Sequence, residues 1–227
     1  MTKWIALSAM VLTASVAFLM AEPAKDSAPA ATEPKADADG FYALFDGKSL
    51  EGWRIGGVGD GWKAQNGELV TTNGPSHLFY DGPFKNHDFK NFHLKAEVMT
   101  KPHANSGIYF HTKFQDKGFP NQGFEAQVNQ THGDKKKTGG LYNVKDVMDT
   151  SPAQDDKWFL YEIIVEGKHV TIKIDGKVTT DWTEAEPAAP VKGMAGRFIQ
   201  HGTFALQGHD PKSETHYKSL MVKPLPD

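Results

Sequence analysis

Phe92, Leu94, Ala96 and Val98 alternate with His93, Lys95 and Glu97, and this two-residue period restricts the chain more than any other feature. Only an extended strand sends successive side chains to opposite faces, so the segment must lie on a sheet with one apolar side and one polar side. The pattern recurs at Phe124 to Asn129, where Phe124, Ala126 and Val128 oppose Glu125, Gln127 and Asn129. Gly107 to Lys113, Tyr161 to Glu166, His169 to Ile174, Lys177 to Trp182, Thr203 to Gln207 and Tyr217 to Val222 read as further strands. Gly40 to Trp53 and Gly61 to Thr71 hold earlier ones. Gly167-Lys168 and Asp175-Gly176 supply tight turns between strands. The 22 glycines and 13 prolines are spread along the whole region, and no long helical periodicity follows residue 40. Antiparallel strands with no intervening helices must form a sandwich or a closed barrel to bury one face of each. The expected fold is an all-β sandwich of two antiparallel sheets.

The N-terminus reads differently. Lys3 precedes an apolar run from Trp4 to Met20, and small residues follow, with cleavage expected after Ala21. The run is short for a membrane span. Residues 1–21 therefore read as an export signal, which places the protein in the periplasm or outside the cell. Glu22 to Asp39 is rich in Ala, Pro, Asp, Glu and Lys and reads as a disordered linker. The folded domain is expected over residues 40–227. The chain has no cysteine, so that domain holds together without disulfides. A net charge of -3 argues against a nucleic-acid partner, which requires a basic face. No polybasic patch suggests membrane binding beyond the export signal.

Three segments carry candidate chemistry. Glu125, Gln127 and Asn129 share one strand face, where they could line a wet groove and hydrogen-bond sugar hydroxyls; a solvated face with no ligand fits the alternation equally well. In His103 to His111, Asn105-Ser106-Gly107 forms a turn entering a strand on which Tyr109 and His111 are expected to share a face. In Leu206 to Asp210, Gln207 and His209 share a face if the strand persists through Gly208, and His209 could serve as a general acid or base. Gly139-Gly140-Leu141-Tyr142 reads as a loop displaying an aromatic. Of the candidate stacking platforms Trp53, Trp62, Trp158 and Tyr142, the last is preferred, because most tryptophans in such a domain belong to the core. The glycine-rich run Gly56 to Gly61 has neither the following helix nor the lysine of a phosphate loop, so no nucleotide cofactor is expected. The ten histidines show no compact metal-ligand spacing.

In order along the chain, Leu44-Phe45-Asp46-Gly47-Lys48-Ser49-Leu50-Glu51-Gly52-Trp53, Trp62-Lys63 and Gly67-Glu68-Leu69 are followed by Asn91 to Val98, Asn105 to Phe110 and Gly123 to Val128. Thr138 to Tyr142, Trp158, Asp175-Gly176-Lys177 and Leu206 to His209 complete the set. This ordered set resembles the 3-keto-disaccharide hydrolase domain family across nearly all of Phe41 to Pro224. The resemblance implies a concanavalin A-like jelly roll, an extracytoplasmic setting and action on glycosides oxidised at C3. Three departures bear on substrate identity: His111 stands where arginine is frequent, Phe159 where asparagine is common, and Lys192 to His201 is long. A C3 ketone acidifies the C2 hydrogen; a base removes it, the enolate expels the C1 substituent, and water adds to the enone. That chemistry needs a base, an enolate stabiliser and an acid for the leaving oxygen. Glu125 and His209 are the expected acid and base. Asn105, Tyr109, His111, Gln127, Tyr142 and Gln207 are the expected substrate contacts. A divalent cation held by Glu125 and His209 could supply the stabilisation instead.

Two rival functions fit the same fold. A retaining glucanase needs two carboxyl groups about 5–5.5 Å apart, yet Gln127 and Asn129 are amides, so Asp210 would have to complete the pair. A non-catalytic sugar-binding module would use the same groove and aromatics without turnover.

Overall fold

The computed structural model describes Met1 and residues 33–71, 73–191 and 193–227. The expected export segment and most of the linker fall in residues 2–32, outside the described residues. The described end of the linker is tied to the domain: Ala36 bridges Tyr42, and the Asp37 carboxylate accepts the backbone N–H groups of Asp39 and Phe41. No described helix is long and apolar enough to cross a membrane.

Fifteen strands follow among the described residues. They are β1 (Tyr42–Ala43), β2 (Trp53–Gly57), β3 (Trp62–Gln65), β4 (Glu68–Thr71) and β5 (Ser76–Tyr80). Next come β6 (Phe92–Thr100), β7 (Asn105–Thr112), β8 (Phe124–Asn129), β9 (Lys136–Leu141) and β10 (Lys145–Met148). The last are β11 (Phe159–Glu166), β12 (His169–Ile174), β13 (Lys177–Thr183), β14 (Thr203–Gly208) and β15 (Thr215–Pro224). One sheet runs β13-β12-β11-β6-β15-β4-β3, with β1 beside β15. The other runs β10-β9-β8-β7-β14-β5-β2. All these pairings are antiparallel, as expected. Strands distant in sequence lie side by side, β15 between β6 and β4, and β14 between β7 and β5, in a jelly-roll arrangement.

The core lies between the sheets. From the first sheet Phe92, Leu94, Val98, Ile163 and Ile172 point inward; from the second, Ile108, Phe110, Phe124, Val128 and Leu206 meet them. Each such side chain contributes roughly 1.5–3 kcal/mol by leaving water. The two sheets differ on their outer sides. Strand β6 alternates buried and half-buried positions, the pattern of a sheet open to solvent on one face. Strands β7, β8 and β14 are buried at every residue. The outer face of the second sheet, which carries the polar residues of these strands, is therefore covered.

Four expectations change. Asn105-Ser106-Gly107 is not a turn but opens β7, paired with Asn129, Val128 and Gln127 of β8. The Gly40 to Trp53 stretch is not one strand: only Tyr42–Ala43 is extended before Trp53 opens β2. Gly139-Gly140-Leu141 belongs to β9 rather than to a loop, because both glycines permit close packing. A Cβ on Gly139 would meet the Thr179 hydroxyl at 2.4 Å, and one on Gly140 the Val147 backbone nitrogen at 2.7 Å. Tyr109 and His111 do not share a face. The β7–β14 register gains one residue in β7, from Ala205↔Tyr109 to Thr203↔Thr112, and His111 takes a φ of 54°. Such a bulge switches the side to which the next residue points.

Candidate functional site

On the covered face of the second sheet lies a cavity of about 750 Å³. Its floor comes from neighbouring strands: Asn105 and Tyr109 on β7, Glu125 and Gln127 on β8, and Gln207 on β14. His209, just past β14, and Tyr142, just past β9, form parts of its walls. Two loops complete it, one bringing Phe119 to Gln122 and the other Gly193 to Arg197. The structure thus brings together seven of the eight expected site residues around one hollow.

His111 is the exception, and its role as a substrate contact is corrected. The bulge turns it inward against Phe92 and Phe110. Its Nε2 donates to the Lys90 carbonyl at 2.8 Å and its Nδ1 accepts the Gln200 N–H at 3.3 Å. Burial pushes its pKa down to about 4, so it is a neutral core histidine. Asn129 likewise serves the fold. Its amide donates to the carbonyls of Asp134 and Lys136, closing the turn between β8 and β9.

Glu125 is 5% exposed, at the bottom of the cavity. The Tyr109 hydroxyl donates to its Oε2 at 2.7 Å, and the Gln207 amide donates to its Oε1 at 2.8 Å. Burial raises its pKa; the hydrogen bonds from Tyr109 and Gln207 and the nearby Arg197 charge pull against that rise without overcoming it. The network leaves room for nothing larger than hydrogen at position 107, where a Cβ would meet Glu125 Oε1 at 2.7 Å. Glu125 is the one carboxylate among the described lining residues. Asp210 does not join it. It stands behind His209 and accepts from Ser213 Oγ at 2.6 Å and the Lys212 N–H at 2.9 Å. Burial alone would raise Asp210, but the hydrogen bonds from Ser213 and His209 hold it below the usual carboxylate range. An ionised Asp210 at 3.0 Å fixes the proton of His209 on Nδ1, which leaves Nε2 as a free acceptor.

Arg197 is a cavity-lining residue that sequence reasoning missed, as is Phe119. Its guanidinium is buried, donates to the Gly123 carbonyl at 3.0 Å, lies 3.8 Å from Glu125 Oε2 and faces the Tyr109 ring at 5.3 Å. Arg197 falls within the stretch from Lys192 to His201 that the resemblance marks as long, and that was the available signal. The Gln127 amide donates to Asn105 Oδ1 at 3.3 Å, while the buried Oε1 atoms of Gln127 and Gln207 have no protein partner. Both are acceptors on cavity-lining residues, suited to a ligand that brings hydroxyl donors.

Among the described residues, the grouping of three possible metal ligands is His132, His209 and Asp210, whose candidate ligand atoms lie within 4.8 Å of one another. Glu125 is not part of that grouping. His132 Nδ1 accepts the Asp134 N–H at 3.1 Å, so its proton sits on Nε2. A cation bound through Nε2 would have to reverse that tautomer.

A family model described as the 3-keto-alpha-glucoside-1,2-lyase-like domain matches residues 40–223. A curated protein of Bacteroides thetaiotaomicron named 3-keto-disaccharide hydrolase is 35% identical over 81 residues, covering 33% of this chain and 28% of that protein. The match therefore spans less than a third of that relative's length. A solved structure from Parabacteroides distasonis, described as a candidate glycosyl hydrolase, superposes with a TM-score of 0.69 at 19% identity, over 83% of this chain and 95% of that one. A carbohydrate-binding module from Bacillus subtilis superposes with a TM-score of 0.52 at 13% identity, over 76% and 95%. These two structures share the fold. Matched over residues 40–223, the chain belongs to the 3-keto-alpha-glucoside-1,2-lyase-like domain family.

Proposed function

We propose that this protein cleaves 3-keto-glycosides outside the cytoplasm, by removing the C2 proton, expelling the C1 substituent and hydrating the resulting enone. One observation carries the reading: the cavity pairs an oriented imidazole with a single carboxyl group. A retaining glucanase requires two carboxyl groups about 5–5.5 Å apart, and Asp210 is engaged behind the histidine. Proton abstraction beside a ketone requires one base and one acid, which the cavity holds.

In this reading His209 Nε2 takes the C2 proton, and Asp210 stabilises the imidazolium that forms. The enolate oxygen is balanced by the Arg197 guanidinium. Glu125 and the Tyr109 hydroxyl hydrogen-bonded to it supply the proton for the leaving oxygen; the raised Glu125 pKa favours that acid role. Asn105, Gln127 and Gln207 hold ring hydroxyls. The family membership and the curated relative's name support the substrate class.

The test is incubation of the purified protein with a 3-keto-disaccharide and with its unoxidised parent. Cleavage of the oxidised sugar alone is expected, with kcat reduced about 10²–10⁴-fold in His209→Ala and Glu125→Gln. Cleavage of the parent at equal rate would refute the mechanism, and binding of either sugar without turnover would make the protein a sugar-binding module.

A further inference from the structure

Phe119 is 47% exposed, one of few large apolar side chains left open to solvent among the described residues, and it lines the cavity. It is held there by design of the loop rather than by chance. The Gln115 side chain reaches across the loop: its amide donates to the carbonyls of Lys117 and Phe119, and its Oε1 accepts the Asn121 N–H. The loop is also seated on β2. The Gly57 N–H donates to the Asp116 carbonyl at 2.8 Å, and a Cβ on Gly56 would meet the Gln115 carbonyl at 2.3 Å. The glycines that are no phosphate loop thus allow this loop to lie flat against the sheet edge. The Phe119 ring rests edge-on against His77 at 5.5 Å and beside His209 at 5.6 Å, which fixes its plane.

Tyr142, the expected platform, is less free. Lys136 Nζ sits over its ring at 4.1 Å, so one face is already covered. The two aromatics also sit over different strands of the second sheet. Tyr142 donates its backbone N–H to the Glu125 backbone carbonyl of β8, whereas Phe119 covers His77 on β5 and neighbours His209 at the end of β14. From β8 to β5 the order is β8-β7-β14-β5. Three inter-strand steps of about 4.8 Å put the backbones beneath the two rings roughly 14 Å apart, a floor longer than one pyranose ring.

We propose that the cavity is a two-ring cleft, with Phe119 the stacking platform for the sugar that leaves. The reacting ring lies over the polar floor of Asn105, Gln127 and Glu125, and the leaving ring places its apolar C–H face on Phe119. The scissile bond then falls beside His209. The preferred substrate is a disaccharide rather than a glycoside with a small aglycone. This assignment rests on the proposed reaction only for which ring leaves; the stacking itself does not require it.

The test compares kcat/KM for a 3-keto-disaccharide and for the matching 3-keto methyl glycoside in wild type, Phe119→Ala, Phe119→Leu and Phe119→Tyr. Leucine preserves packing against His77 and His209 but removes the π face, and the methyl glycoside reports any damage to His209. Alanine and leucine should each lower kcat/KM for the disaccharide about tenfold, ~1.4 kcal/mol, through KM. The methyl glycoside should stay within twofold, and tyrosine should keep wild-type values. An equal loss on both substrates, or no loss on the disaccharide, overturns the platform. If no 3-keto-glycoside is turned over, calorimetric titration with the unoxidised disaccharide decides. A tenfold weaker affinity in Phe119→Leu supports the platform, and equal affinity or no binding by wild type overturns it.

Discussion

Acidification from pH 7.5 to pH 5 should destabilise the fold through two buried histidines. His77, beneath Phe119 on β5, is pushed down to about 3 by burial and then by the nearby His209; His111 is pushed down to about 4 by burial. Both are neutral in the folded chain and take up a proton near pH 6.5 once unfolded. Their contribution to stability is therefore complete above pH 6.5 and is lost as the pH falls toward their folded values. Between pH 7.5 and pH 5 the unfolded state gains about 1.5 pH units of proton binding per histidine, or about 2 kcal/mol each and ~4 kcal/mol together. Glu125 works in the opposite direction, because a carboxyl raised in the fold favours the folded state as the pH falls. A single pH series on wild type would mix the two effects, so the informative quantity is the difference between variants. His111→Asn suits the left-handed φ of 54° and removes the titration. Urea unfolding at pH 7.5 and pH 5 should show wild type losing about 2 kcal/mol more than His111→Asn across the interval, whatever the variant's own baseline. Equal losses in the two proteins would mean that His111 is not held neutral, and the burial argument would fail.

Gly107→Ala should leave the fold intact and remove activity. A Cβ there meets Glu125 Oε1 at 2.7 Å and Cγ at 2.9 Å, so the carboxylate must leave Tyr109 and Gln207. A loss of about 1–3 kcal/mol in denaturant unfolding and at least a tenfold fall in kcat/KM are expected; unchanged kinetics would show that Glu125 placement is unimportant. Export is checked by N-terminal sequencing of the protein recovered outside the cytoplasm, which should begin at Glu22; recovery of the intact N-terminus from the cytoplasm would refute it.

What was legible in the sequence is what repeats every two residues. The alternation at Phe92 to Val98 and Phe124 to Asn129 assigns both strands, the first of which runs on to Thr100, and places Glu125 with Gln127 on one face; the structure puts both on the cavity floor. His111 was misread because one inserted residue inverts the period without leaving a mark in the hydrophobic pattern. Gly139 and Gly140 were misread because glycine serves both turns and closely packed strands, and only the Thr179 and Val147 contacts distinguish the two. Phe119 and Arg197 sit on loops, where no period relates a residue to a face. Their convergence on Tyr109, His77 and His209 is set by where the loops are tied: through Gly56 and Gly57 for one, and through the Gly196 carbonyl accepting the Gly123 N–H for the other.

The burial of both faces of β7, β8 and β14 explains why this site reads as core and acts as a cleft. A sheet open to water could leave amides and carboxylates solvated; here Glu125, Gln127 and Gln207 are each at most 5% exposed and must be satisfied by neighbours. Glu125 is satisfied by Tyr109 and Gln207, but the Oε1 atoms of Gln127 and Gln207 are not, although an unpaired buried acceptor costs about 1–3 kcal/mol. A chain selected for stability alone would place apolar residues at these positions, as it does one residue away at Ala126 and Leu206. Retaining two unpaired acceptors beside a buried carboxylate and a buried guanidinium makes sense when a hydroxyl-rich molecule completes the network. The incompleteness of the floor, more than its shape, is what supports the proposed sugar ligand.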